Sequence, residues 1–97
     1  MTKFKRGDHF ALRDDLVVEE IDDDVVVLDL DGNQYFGLNE VGWLIWRALD
    51  ETDESFGDIA DAIADEFDIE VERARRDAAA FIEQLLDAGL ASRRTDE

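Results

Sequence analysis

The spacing of apolar residues changes once along the chain, at Asn39, and this change limits the class of fold. Before Asn39, three apolar runs at 16–22, 25–31 and 32–38 are separated by acidic turns, which is typical of strands joined tightly. The Asp-Gly pair at 31–32 is a strong hairpin signal, because glycine accepts a positive φ. The first part of the chain is therefore predicted to form a three-stranded antiparallel sheet.

After Asn39 the apolar residues recur at helical spacing. Asn39 is a suitable N-cap for a first helix, and the polar stretch 50–55 separates that helix from a second one near 56–67. A third helix is predicted near 71–88, and Gly89 is placed to end it. Three strands followed by three helices predict an α+β domain whose helices cover one face of the sheet.

The chain of 97 residues suffices for one small domain with a modest core. We predict that this domain spans 14–92, with a poorly patterned N-terminal extension at 1–13 and a frayed tail at 93–97. No run approaches the roughly 18 apolar residues of a membrane-spanning helix, and the N-terminus lacks the apolar stretch of a secretory signal. We therefore expect a cytoplasmic protein with no membrane partner.

The composition is strongly acidic, with 27 Asp and Glu against 10 Lys and Arg and a formal net charge of −17. Binding to DNA or RNA phosphates needs a basic surface, so no nucleic-acid partner is expected. The chain contains no cysteine, which excludes disulfides, thiolate metal sites and a cysteine nucleophile.

No residue pattern indicates an enzyme, a metal site or a cofactor. The run DLDGN at 29–33 is similar to the start of an EF-hand calcium loop, which needs glycine at its sixth position and glutamate at its twelfth. Here Gly32 is fourth, and Glu40 is reached only across an apolar strand, so a turn is expected. His9 has no partner residue for metal binding or base catalysis, and neither serine lies in a nucleophile elbow.

The remaining candidates are binding surfaces. The third predicted strand has no charge between Gly32 and Asn39, and it is an edge if sheet order follows chain order. Such an edge is either covered, by a helix or a second copy of the chain, or open to a peptide that adds as a strand. Trp46 is expected to be buried. Trp43 is either covered by the N-terminal segment or exposed as a binding patch.

Two longer segments resemble a known family. DGNQYFGLNEVGWLIWRAL (31–49) and SFGDIADAIADEFDIEVERARRDAAAFIEQLLDAGL (55–90) are similar to the PqqD-like proteins. These are non-catalytic peptide chaperones, or precursor-peptide recognition elements, of ribosomally synthesised modified peptides. The resemblance is strongest to the stand-alone type from lasso-peptide gene clusters, and it covers roughly residues 14 to 92.

The resemblance implies a winged-helix-like fold without catalysis or cofactor. In that family the leader segment of a precursor peptide adds as a strand to the third strand and lies against the third helix. The domain then delivers the leader to a processing protease or other modifying enzyme. This chain is expected to be a monomer or weak dimer. Its peptide-binding residues would be Asn33, Gln34, Tyr35, Phe36, Gly37, Leu38, Val71, Arg75, Ala78, Ala79 and Ile82.

Two other functions are compatible with this order of elements. A winged-helix regulator that binds nucleic acid agrees with the paired helices, although the net charge of −17 opposes it. A structural dimerisation domain could instead pair two copies of the chain through the third strand.

Overall fold

The computed structural model describes residues 4–94. Its elements are β1 (His9–Leu12), β2 (Val17–Ile21), β3 (Asp24–Asp29), β4 (Gln34–Leu38), α1 (Glu40–Glu51), α2 (Phe56–Phe67), α3 (Val71–Asp87) and β5 (Ala91–Arg94). The three predicted strands are β2, β3 and β4, which form an antiparallel sheet in that order, and the three predicted helices follow. The predicted α+β class is confirmed.

The two hairpin turns place acidic or amide residues, rather than glycine, in the left-handed region. Asp22 has a φ of 57° between β2 and β3, and Asn33 has a φ of 53° between β3 and β4. Gly32 has no positive φ. It is needed for space, because a Cβ there would lie 2.6 Å from Asp29 Oδ2. The hairpin prediction is confirmed, but the reason given for its glycine was wrong.

The helices begin and end at the residues that the sequence indicates. Asn39 Oδ1 accepts a hydrogen bond from Gly42 N at 2.8 Å and caps α1. Ser55 Oγ caps α2 by accepting from Asp58 N at 3.3 Å. Gly89, with a φ of 77°, follows the end of α3. Among residues 4–94, no helix is both long and apolar enough to cross a membrane.

The core lies between one face of the three-stranded sheet and the helices. Its fully buried side chains include Val27 of β3, Ile45 of α1 and Ile82 of α3. Directly opposite residues share a face, so Val18, Val27 and Phe36 form one inward row across the sheet. A neighbouring row ends in the buried Leu38.

The N-terminal segment is part of the fold. β1 pairs antiparallel with β5, from His9 opposite Arg94 to Leu12 opposite Ala91, in a second sheet that was not predicted. Phe4 and Phe10 are buried with ring centroids 5.1 Å apart. The interpretation of 1–13 as an unpatterned extension and of 93–97 as a frayed tail therefore misses this strand pair. Residues 1–3 and 95–97 lie outside the described part of the chain.

Candidate functional site

β4 is an edge strand with an open side. It pairs with β3 on one side, and within residues 4–94 no strand pairs with the other. Gln34, Phe36 and Leu38 face the helices, whereas Tyr35, 73% exposed, and Gly37 face outward. Successive side chains of a strand point to opposite faces, which accounts for this alternation. On the open side the strand offers N–H and C=O groups that no other strand of the described residues uses.

A cavity of about 510 Å³ lies beside the end of β4. We call it the β4–α3 cleft, because its walls are the end of β4 with the following turn of α1, and one flank of α3. Its lining residues are Gly37, Asn39, Val41, Gly42, Arg73, Asp77, Ala80, Phe81 and Gln84. The cleft therefore adjoins the open strand edge and combines apolar, amide and charged groups.

Close packing between α1 and α3 shapes the apolar part of the cleft. A Cβ at Gly42 would lie 3.0 Å from Phe81 Cε1 and 3.3 Å from Asn39 Oδ1. Glycine thus lets the Phe81 ring approach the first turn of α1, while Asn39 keeps its capping bond to Gly42 N. Phe81 stays partly exposed, so its ring is available to an apolar side chain at the surface.

The charged part of the cleft contains one group of each sign. Arg73 Nε lies 3.7 Å from Asp77 Oδ2, and both side chains are exposed. Such an i,i+4 pair contributes about 0.3–0.5 kcal/mol. Because this pairing is weak, either group can exchange it for a partner of opposite charge on a bound peptide.

None of the five α3 residues chosen from the family resemblance lines this cleft. They are Val71, Arg75, Ala78, Ala79 and Ile82. Ala78 and Ile82 are fully buried, so neither offers surface to a ligand. These two residues belong to the apolar stripe that faces the core. Because an α-helix has about 3.6 residues per turn, the residues that line the cleft lie on a neighbouring face of α3, beside that stripe. The sequence left the choice of flank open.

Arg75 lies on the side of α3 that faces α2. Its Nη1 donates to Glu72 Oε1 at 3.0 Å. On α2, the pKa of Asp61 is lowered by the hydrogen bond from Arg6, and the positive charge of Arg75 adds to this effect. Arg75 is therefore occupied away from β4, and Arg73 is the arginine of α3 that reaches the cleft.

A hydrogen-bond network fixes the other end of β4. The carboxylate of Asp29, only 2% exposed, accepts from Arg13 Nη1 and Nη2 at 3.1 Å each and from Gly32 N at 3.1 Å. Gln34 Nε2 donates to Asp29 Oδ2 at 2.9 Å and to Ala88 O at 3.2 Å. The bond from Gln34, with those from Gly32 and Arg13, lowers the pKa of Asp29 to about 2.

This network joins three separate parts of the chain. Gln34 connects the start of β4 to Ala88, just after α3, and Arg13 N also donates to Leu90 O at 2.9 Å. The distance between β4 and the end of α3 is thereby held. Two of the residues predicted to bind the peptide lie at this end of β4, and their role stays a prediction. The Gln34 side chain is occupied within the fold, and Asn33 lies in the turn before β4. The DLDGN run is a turn whose buried carboxylate is already bonded.

Comparisons with known proteins identify a family and similar folds. The family model for coenzyme PQQ synthesis protein D (PqqD) matches residues 24–91. The solved structure of TbiB1 in complex with the TbiA(beta) leader peptide is 35% identical, with a TM-score of 0.76 over 89% of this chain and 99% of that chain. Lasso peptide synthetase B1 complexed with the leader peptide is 32% identical, with a TM-score of 0.72 over 86% and 96%. No match to a curated protein was found.

Proposed function

The chain belongs to the PqqD family, and on this premise we propose that it is a recognition element for a precursor peptide. It binds the leader segment and presents it to a maturation enzyme, a protease or other modifying enzyme, in the cytoplasmic biosynthesis of a lasso-type peptide. The protein itself contributes binding and no catalytic group. The observation that carries this proposal is the open, uncharged edge of β4 beside the β4–α3 cleft.

The binding mechanism is strand addition to β4. An extended leader donates and accepts main-chain hydrogen bonds along the open side of Gln34–Leu38, which tolerates variation in leader sequence. Alternate leader side chains then point toward the helices and toward solvent. The inward-pointing chains meet the β4–α3 cleft, where Phe81 and Val41 supply apolar contact, and Arg73 and Asp77 supply charge.

Rigidity of the binding edge supports useful affinity. A disordered leader loses conformational entropy when it becomes a strand, and this cost limits affinity. The Asp29 network holds the start of β4, and the Asn39 cap holds its end, so the protein need not also become ordered. Lower reorganisation of the receptor leaves more of the contact energy for binding.

The test is a titration of the protein with a fluorescently labelled leader of a lasso-type precursor, such as the TbiA(beta) leader that the similar protein TbiB1 binds. We expect saturable 1:1 binding to the leader, no binding to the core segment of the same precursor, and no binding to duplex DNA at low salt. Tight duplex binding would favour the nucleic-acid regulator. A stable dimer in sedimentation that accepts no leader would favour the dimerisation domain and overturn the proposal.

A further inference from the structure

The opposite edge of the sheet is also open, since no strand in the described part of the chain, 4–94, pairs with its outer side. β2 forms this edge, and four of its five residues are exposed. Val18 stands directly opposite Val27 and faces the same side of the sheet, yet Val18 is 38% exposed while Val27 is 0% exposed. The helices that cover the inner face of β3 therefore leave the inner face of β2 partly exposed.

A second cavity, of about 440 Å³, lies under this projecting strand. We call it the β2–α1 cleft. Its lining residues are Val18, Glu20, Trp43, Trp46, Arg47, Asp50 and Glu51. Trp46 is buried in the core, and Trp43 is half-buried and lines the cleft. Both tryptophans of the chain thus border one cavity beside a free strand edge.

The chemistry of this cleft fits a cation. Three of its side chains are carboxylates and one, Arg47, is basic. The Arg47 guanidinium already lies 5.8 Å from the centroid of the Trp43 ring, within the distance at which a cation is attracted to an aromatic face. Within residues 4–94, neither Glu20 nor Asp50 has an ion-pair partner, so both carboxylates can accept an incoming cation.

We propose that the β2–α1 cleft docks an extended, basic segment of a partner protein. The segment pairs with the free edge of β2 and inserts an arginine or lysine side chain between Trp43 and the carboxylates of Glu20 and Asp50. A second copy of this chain is a poor occupant. Edge-to-edge pairing of two β2 strands would bring Glu19 and Glu20, and the acidic residues at 22–24, against the same charges.

The two clefts can be occupied at the same time. β2 and β4 lie on opposite sides of β3, so a strand added to one edge leaves the other free. With a leader on β4, as proposed above, the partner on β2 would be the enzyme that receives the leader. The docking site itself does not depend on leader binding and can be tested without a leader.

The experiment uses the whole protein, ¹⁵N-labelled, and a synthetic probe, an acetylated hexapeptide of alternating Val and Arg with an amidated C-terminus. We expect saturable shifts of the amides of 17–21 and of the Trp43 indole, with the amides of 34–38 unmoved. Glu20→Lys should raise the Kd at least about tenfold, since it replaces an attraction by a repulsion. Trp43→Leu should also weaken binding, through loss of the aromatic face.

A matched control separates docking from general attraction to an acidic protein. Glu66→Lys changes the net charge equally but lies exposed on α2, outside the cleft, and should raise the Kd less than about twofold. Equal weakening by Glu20→Lys and Glu66→Lys would overturn the proposal, as would shifts confined to 34–38. Displacement of a bound leader by the probe would also contradict the proposal, because it would mean that both peptides occupy the same strand edge. Failure of the leader to bind would leave this titration unaffected.

Discussion

Arg13 and Asp29 form a two-point contact, with Nη1–Oδ2 and Nη2–Oδ1 distances of 3.1 Å each. A guanidinium matches a carboxylate in this planar geometry, which a lysine cannot reproduce. Arg13 Nη2 also donates to Asp15 Oδ2 at 2.7 Å. The hydrogen bonds to Asp15, which have the larger effect, and to Asp29 raise the pKa of the guanidinium. The contact joins the segment after β1 to the last residue of β3.

Acid should weaken the fold through this contact. The pKa of Asp29 is about 2 in the folded protein, below its ordinary value of 3.8. Its stabilising contribution is therefore complete above pH about 4 and is lost as the pH falls from about 4 to about 2. Urea unfolding of the native chain and Asp29→Asn across this range checks the prediction. The difference in stability between them should shrink toward low pH, and a constant difference would contradict it.

Gly32→Ala should destabilise the protein, because the added methyl would lie 2.6 Å from Asp29 Oδ2 and force the network apart. We expect a loss of about 1–3 kcal/mol in the free energy of unfolding. Gly7→Ala is the matched control, since a Cβ at Gly7 meets nothing within 4 Å. Thermal or urea unfolding that shows the same midpoint for both variants would argue against a spatial role for Gly32.

Filling the β4–α3 cleft should block the leader without unfolding the protein. Ala80 is exposed and lines the cleft, so Ala80→Phe places a ring in the space that a leader side chain would occupy. We expect the Kd for the leader to rise at least about tenfold, or about 1.4 kcal/mol. Glu66→Phe puts the same ring on an exposed position of α2. If both variants bind the leader equally well, the cleft is not part of the site.

If the leader pairs with β4 as a strand, N-methylation at successive leader positions should weaken binding at every second position. In an added strand, alternate N–H groups point toward β4 and the others point away. Methylation at the first set removes a hydrogen bond and adds bulk at the edge, so each should weaken binding about tenfold. Methylation at the second set should change the Kd little. A scan by fluorescence anisotropy that shows no alternation would contradict strand addition.

The long periodic elements could be predicted from the sequence, because each carries its own signal. β2, β3, β4 and the three helices show alternation, helical spacing or a cap within one segment. β1 and β5 do not, because each has four residues and its partner lies about eighty positions away. A pairing across that distance leaves no local pattern, and Phe10 is the only buried residue of β1.

The candidate site was predictable in part for a related reason. The β4 edge follows from strand order and lack of charge, both of which can be read locally. The flank of α3 that lines the cleft does not follow, because Phe81 belongs to the same apolar stripe as the core residues, while Arg73 and Asp77 look like ordinary surface residues in the sequence. Ile82 is fully buried while Phe81, its neighbour, reaches the cleft. The different positions of these two residues depend on how α3 packs against α1. Gly42 permits this packing because it has no side chain to meet the Phe81 ring.

The most direct test of the proposed function follows the backbone amides of β4 while the leader is added to the ¹⁵N-labelled protein. Strand addition predicts saturable shifts across 34–38, with slowed hydrogen exchange at those amides that point away from β3. Amides of β2 should keep their exchange rates, which serves as the control at the other edge. If the leader binds at saturation and the amides of 34–38 neither shift nor gain protection, the leader does not lie along β4.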